Sequence, residues 1–217
     1  MRFNEQGRSM IEMLGVLAIV GVLSVGGIAG YSKAMNKFKT NKLIEQVNMI
    51  STNIRTLYSS QKSYDGLVNG AAIRTGVLPN EMYGDSASVN ASDADAAITN
   101  AFAGNVVIQA GGVKENTDSG AFVISMDKIP EAACVSIATT EWGGDAGGGL
   151  LAIEILGGES GAADDAVSTA ADDIAAADPQ GTGGAVYTIE DGELPVSVVN
   201  AAGICEGAEN VIAWKYM

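Results

Sequence analysis

Residues 7–33 read GRSMIEMLGVLAIVGVLSVGGIAGYSK. From Met13 to Ser32 the chain carries twenty uncharged residues in succession, the length of one helical crossing of a hydrocarbon core about 30 Å thick. Gly15, Gly21, Gly26, Gly27 and Gly30 interrupt this run. Such glycines weaken a helix in water, but they are common in membrane helices that approach a neighbour closely. A carboxylate, Glu12, stands directly against the apolar run, with Gly7 and Arg8 just before it. A charge at that depth must be hydrated, paired or functional.

Working outward, Lys33, Lys37, Lys39 and Lys42 follow the run, and no proline occurs before Pro79. Leu43, Val47, Ile50, Ile54 and Leu57 then recur at helical spacing, an apolar stripe on one face. A single helix of about 80 Å is therefore predicted from about Arg8 to Ser60. Turn formers in SSQKSYDG (59–66) end it.

The chain of 217 residues divides sharply by charge. The net charge is −14, yet residues 1–62 hold eight Lys/Arg against three Asp/Glu, and residues 63–217 hold four against twenty-three. Two physical environments for one chain follow, and the acidic part repels nucleic acid. The chain is 47% hydrophobic but only 6% aromatic, which favours a small-residue, loop-rich head.

In that head NVVIQ (105–109), AFVISM (121–126), LLAIEIL (150–156) and NVIAWKY (210–216) read as strands. IPEAACVSIATTEW (129–142) has Pro130 at a first helical turn, which places Cys134 on a short helix. AAIRTGVLPNEMYGD (71–85) reads as a loop, and Ser92 as the cap of a helix over Asp93–Ala103. GAADDAVSTAADDIAAADP (161–179) reads as an Ala/Asp-rich helix, GGDAGGG (143–149) as a flexible connection, and Asp191–Gly192 as a turn between two strands.

Enzymatic chemistry finds little footing. There is no histidine, and two cysteines alone make no zinc site. The pairs Asp164–Asp165 and Asp172–Asp173 lack the alternating ligands and closing Glu of a calcium loop, and read as a solvated helix face. GGDAGGG lacks the Lys-Ser/Thr of a phosphate loop. No nucleophile stands at a telling spacing from a base, so neither an enzyme nor a cofactor is expected. Cys134 and Cys205 are either two buried thiols in a reducing compartment or a disulfide in an oxidising one.

GRSMIEMLGVLAIVGVLS resembles the prepilin processing signature of type IV pilins: a glycine, a short segment ending in glutamate and a long apolar helix. Gly7 matches the residue before the cut, Ser9, Met10 and Ile11 the intervening segment, Glu12 the family glutamate and Gly21 a glycine that many pilins carry. GAFVISMDKIPEAACVSIATT (120–140) and ICEGAENVIAWKYM (204–217) are similar to the C-terminal region of type IVb pilins, the group of toxin-coregulated, bundle-forming and PilS-like pilins. The resemblance covers residues 7–60 and 120–217; residues 67–118 match nothing specific. Two departures are Arg8, where pilins usually carry an apolar first mature residue, and Ala29, where many type IVa pilins have proline.

The resemblance implies an α+β pilin fold: a long helical spine packed on an antiparallel sheet, with a Cys134–Cys205 disulfide closing the variable region. It implies a leader over 1–7, a transmembrane and fibre-core half-helix over 8–32, an amphipathic half over 33–62 and a head over 63–217. Cleavage would fall between Gly7 and Arg8, with N-methylation of Arg8 by the prepilin peptidase. Leu14, Val16, Leu17, Ile19, Val20, Leu23, Val25 and Ile28 would anchor the precursor in the inner membrane, head in the periplasm, and later build the fibre core. Glu12 would set axial register. The expected partners are further copies of the chain in a helical homopolymer, the peptidase/methyltransferase, an assembly ATPase and its inner-membrane platform, and no nucleic acid. The rival expectations are a minor pilin or pseudopilin of a secretion machine, and a single-pass anchored periplasmic binding protein.

Overall fold

A computed structural model describes residues 6–113, 119–143, 148–158, 184–189, 192 and 194–217. The 161–179 helix reading and most of GGDAGGG lie outside the described residues, as does Asp191. The chain divides into two compact units, Met1–Lys39 and Thr40–Met217. Helix α1, Gln6–Tyr58, contributes residues to both.

In the second unit, helix α2 (Asn69–Thr75) and two 3₁₀ turns (Asn80–Met82 and Ser86–Ser88) lead to strand β1 (Val106–Gly111). Strand β2 (Ala121–Ile129), helix α3 (Glu131–Ala138), β3 (Leu150–Leu156), β4 (Gly184–Thr188), helix α4 (Val198–Ile204) and β5 (Asn210–Tyr216) follow. The five strands form one antiparallel sheet in the order β1-β2-β5-β3-β4. The last strand thus sits in the middle. Its residues NVIAWKY are buried throughout, and β2 is buried at every position but Lys128. These strands are near-continuous apolar runs because both faces of the sheet are covered.

Leu43, Val47, Ile50 and Ile54 are fully buried and share one core with Ile108, Phe122, Ile124, Met126, Ile153, Ile212 and Trp214. Each such side chain contributes about 2 kcal/mol by leaving water. Leu57, read as the fifth residue of the stripe, is instead 40% exposed, because the helix ends one residue later and Tyr58 takes the inward place. Tyr58, Tyr64, Phe122 and Tyr216 form a chain of ring contacts with centroid spacings of 5.2, 4.8 and 5.5 Å, the first two pairs tilted and the last stacked. Asn53 Nδ2 donates to the Val77 carbonyl at 2.9 Å, and Lys42 pairs with Glu81 at 3.0 Å, fastening α1 to the loop beyond α2.

Buried amides knit the loops to the sheet. Asn69 donates to the Ala96 and Val106 carbonyls and accepts from the Ile108 N–H. Asn210 donates to the Ile129 carbonyl and accepts from the Gly158 and Glu206 N–H groups. Asn100 donates to the Asp127 carbonyl and accepts from the Phe102 and Gly104 N–H groups.

Three readings are corrected. Residues 71–85 are not all loop, since α2 runs to Thr75 and Gly76 closes it in the left-handed conformation with its N–H bonded to the last carbonyls. No helix spans Asp93–Ala103; the Asp93 and Asn100 carboxylate and amide oxygens bind nearby backbone N–H groups and hold turns instead. The segment after Gly192 is not a strand: Ser197 accepts from the Asn200 N–H and caps α4, which carries Val198 and Val199.

Cys134 on α3 and Cys205 at the end of α4 form a disulfide with a Cα–Cα distance of 5.8 Å and a sequence separation of 71. Closing a loop of that length stabilises by roughly 4 kcal/mol in the chain-entropy model. On the other face of the sheet, Glu154 lies opposite Ala213 and Val186, 6% exposed, with Oε2 buried and unpartnered among the described residues. Burial raises its carboxyl to about 7.

Two outcomes are expected. Urea unfolding in detergent, read by the emission of the Trp142–Trp214 pair, should shift to lower urea in the Cys134→Ser/Cys205→Ser chain by an amount on the order of 4 kcal/mol. For Glu154 the folded state binds the proton more tightly than the unfolded state, so its contribution to stability is lost as pH rises from about 4.5 through about 7. Wild type should therefore lose up to about 3 kcal/mol relative to Glu154→Gln over that window; parallel stability profiles of the two chains would refute the burial argument.

Candidate assembly site

Helix α1 opens at Gln6, so Gly7, Arg8 and Glu12 all lie on its first turns. Glu12 is exposed, and it carries the sole acidic charge between Gln6 and Lys42. Leu14, Val16, Leu17, Ile19, Val20, Leu23, Val25 and Ile28 are between 52% and 72% exposed. Met10, Ile11, Met13 and Val22 are exposed alongside them; the uncharged run that marks the eight also contains Met13 and Val22, whereas Met10 and Ile11 precede Glu12. The apolar surface wraps the whole helix rather than one stripe, and its best 18-residue window has a mean hydropathy of 2.2 with nothing buried. A helix apolar all round must be surrounded by lipid or by other helices.

The glycines point the same way. A Cβ added at Gly15, Gly21, Gly26, Gly27 or Gly30 would meet nothing within 4 Å. Among the described residues no contact requires them, although each costs about 1 kcal/mol of helix stability relative to alanine. Their use lies in what the helix packs against.

The head holds a cavity of about 550 Å³ lined by Thr140, Glu141, Trp142, Gly143, Leu150, Ile153, Leu194 and Pro195. Glu141 is the single ionisable side chain in that lining, so no nucleophile, base and proton donor converge there. Trp142 donates its indole N–H to the Ile137 carbonyl and packs edge-on against Trp214 at 5.1 Å, a structural role. Among the described residues no three His, Cys, Asp or Glu side chains gather as metal ligands. What the described residues do offer is association: apolar burial, one carboxylate and a covalently closed head.

Comparison with known proteins supports this. Residues 37–214 match the family model described as PilS N terminal. The major structural subunit of the bundle-forming pilus of Escherichia coli O127:H6 (strain E2348/69 / EPEC) is 31% identical over 144 residues, which are 66% of this chain and 69% of that protein. The corresponding subunit of Escherichia coli O111:H- matches equally. Among solved structures, the type IVb pilin of Salmonella typhi superposes with a TM-score of 0.50 at 20% identity, covering 81% of this chain and 98% of that one. The pilin TcpA of Vibrio cholerae El Tor gives 0.51 at 19% identity, covering 82% and 99%. The chain belongs to the PilS family, and its fold is that of the type IVb pilins.

Proposed function

We propose that this pilin is the structural subunit of a type IVb-like pilus, made as a membrane-anchored precursor and polymerised through α1. The observation that carries the reading is the long exposed apolar stretch of a helix whose later stripe, Leu43, Val47, Ile50 and Ile54, is fully buried in the head. The major pilus subunits to which the chain is 31% identical agree with it.

Residues 1–7 are the leader, and cleavage between Gly7 and Arg8 leaves an α-amine four residues before Glu12. A prepilin peptidase makes that cut and methylates the Arg8 amine. The 8–32 half-helix holds the subunit in the inner membrane, head in the periplasm, until an assembly ATPase and its membrane platform move it into the fibre. There Leu14, Val16, Leu17, Ile19, Val20, Leu23, Val25 and Ile28 pack against the same helix of other copies. Residues 33–62 pack the head, and 63–217 form it. A carboxylate inside an apolar fibre core is costly unless neutralised, and a neighbour's Arg8 amine at the right axial stagger neutralises it. Glu12 thereby discriminates one register from all others. A stagger that leaves the charge unpaired loses on the order of 3–5 kcal/mol.

Glu12→Ala is expected to insert normally in the membrane while the subunit recovered in sheared fibres drops at least tenfold; wild-type fibre yield would sink the pairing argument. Mass spectrometry of the subunit from those fibres should find N-methylated Arg8 as the first residue. A terminus that retains residues 1–7 would rule out processing at this site.

A further inference from the structure

We infer that Tyr31–Phe38 of α1 is a docking surface for anionic phospholipid headgroups, which holds the subunit at a set depth in the bilayer. The inference rests on the membrane-anchored precursor argued above. Twenty residues from Met13 to Ser32 rise about 30 Å, so Tyr31 stands at the end of the hydrocarbon core and Phe38 about 9 Å beyond Ser32, among headgroups.

At that depth the helix has two chemically distinct faces. Tyr31, Met35 and Phe38 follow the i, i+4, i+7 spacing of one ridge and are 67%, 38% and 61% exposed. Lys33 and Lys37, four residues apart, are exposed on another face. Between Glu12 and Glu45 the chain holds no carboxylate, so the charged side chains that this stretch of the helix carries are all positive. Lys42 is already committed to Glu81 and adds nothing to this surface.

The occupant follows from the mixture. An acidic protein surface would satisfy the lysines but has no use for a large exposed aromatic ridge at the end of an apolar run. A bilayer interface accommodates both, because aromatic rings settle at headgroup depth and ammonium groups meet lipid phosphates. The ridge is also continuous with the apolar surface below it. The preference is for anionic over zwitterionic lipid, since only net negative charge rewards two added cations.

The test uses the full chain reconstituted in vesicles of mixed phosphatidylglycerol and phosphatidylcholine, with spin-labelled forms of each lipid read by electron paramagnetic resonance. Phosphatidylglycerol should be preferred at the protein boundary by up to about fivefold per lysine, and Lys33→Gln/Lys37→Gln should bring the ratio close to one. Molar salt should do the same in the wild type. A nitroxide on Met35→Cys should sit at headgroup depth and move when Tyr31→Ala/Phe38→Ala is added. Immobilised boundary lipid with no preference in the wild type overturns the inference, as does a preference that survives the double lysine substitution. A preference that vanishes as chain density rises marks a second copy's acidic head as the occupant and also overturns it. Absence of any immobilised lipid shows that the helix does not span, which overturns the membrane reading itself.

Discussion

Strand β5 lies between β2 and β3, and every one of its seven residues is buried. Without it the sheet is two separate pieces, the β1–β2 pair and the β3–β4 pair, each with an open edge facing the gap. Trp214 and Tyr216 project into the core that receives Leu43, Val47, Ile50 and Ile54 from α1. Cys205 stands just ahead of β5 and Asn210 opens it, and together they tie its entry to α3, to the end of β2 and to the residues after β3. The central strand is thus fixed covalently, by buried amide bonds and by apolar packing at once. Its ladder bonds to both neighbours complete the sheet.

Helix α1 meets two opposite solvation problems along its length. From Leu43 to Ile54 its apolar residues repeat at helical spacing and are satisfied inside the chain. From Met10 to Ile28 they surround the helix and stand exposed among the described residues. Four of the five open glycines fall in the second stretch, and Gly30 lies just beyond it. Glu12 marks its beginning and the lysines its end, so the apolar cylinder is bounded by charge at both limits.

Long-period features were legible in the sequence. The uncharged run, the 43–54 stripe, the four apolar strands and the Pro130-led helix all depend on patterns of five residues or more, or on one residue with a fixed φ. The disulfide was not readable from spacing; it came with the resemblance in residues 120–140 and 204–217. Strand order was not readable either, because nothing local in NVIAWKY says that its partners lie at 121–129 and 150–156. The errors fell where short polar side chains decide the backbone. Asp93, Asn100 and Ser197 each accept a hydrogen bond from a nearby N–H, and a sequence does not say which N–H will be in reach. Asn69 and Asn210 were overlooked as anchors for the same reason, since their partners are up to 81 residues away. In the assembly region the exposure of the apolar residues was anticipated, but the steric openness around the glycines needed the structure.

The disulfide also governs how the chain answers a mechanical pull. Tension applied between α1 and the end of β5 reaches Cys134 and crosses directly to Cys205. The intervening stretch, which includes β3, β4 and α4, is a side loop that carries no load along its backbone. Were the bridge absent, those 71 residues would add roughly 240 Å of slack on full extension. With it, that reserve of length is withdrawn from the load path, and what remains to yield is α2, β1, β2, the start of α3 and the seven residues of β5.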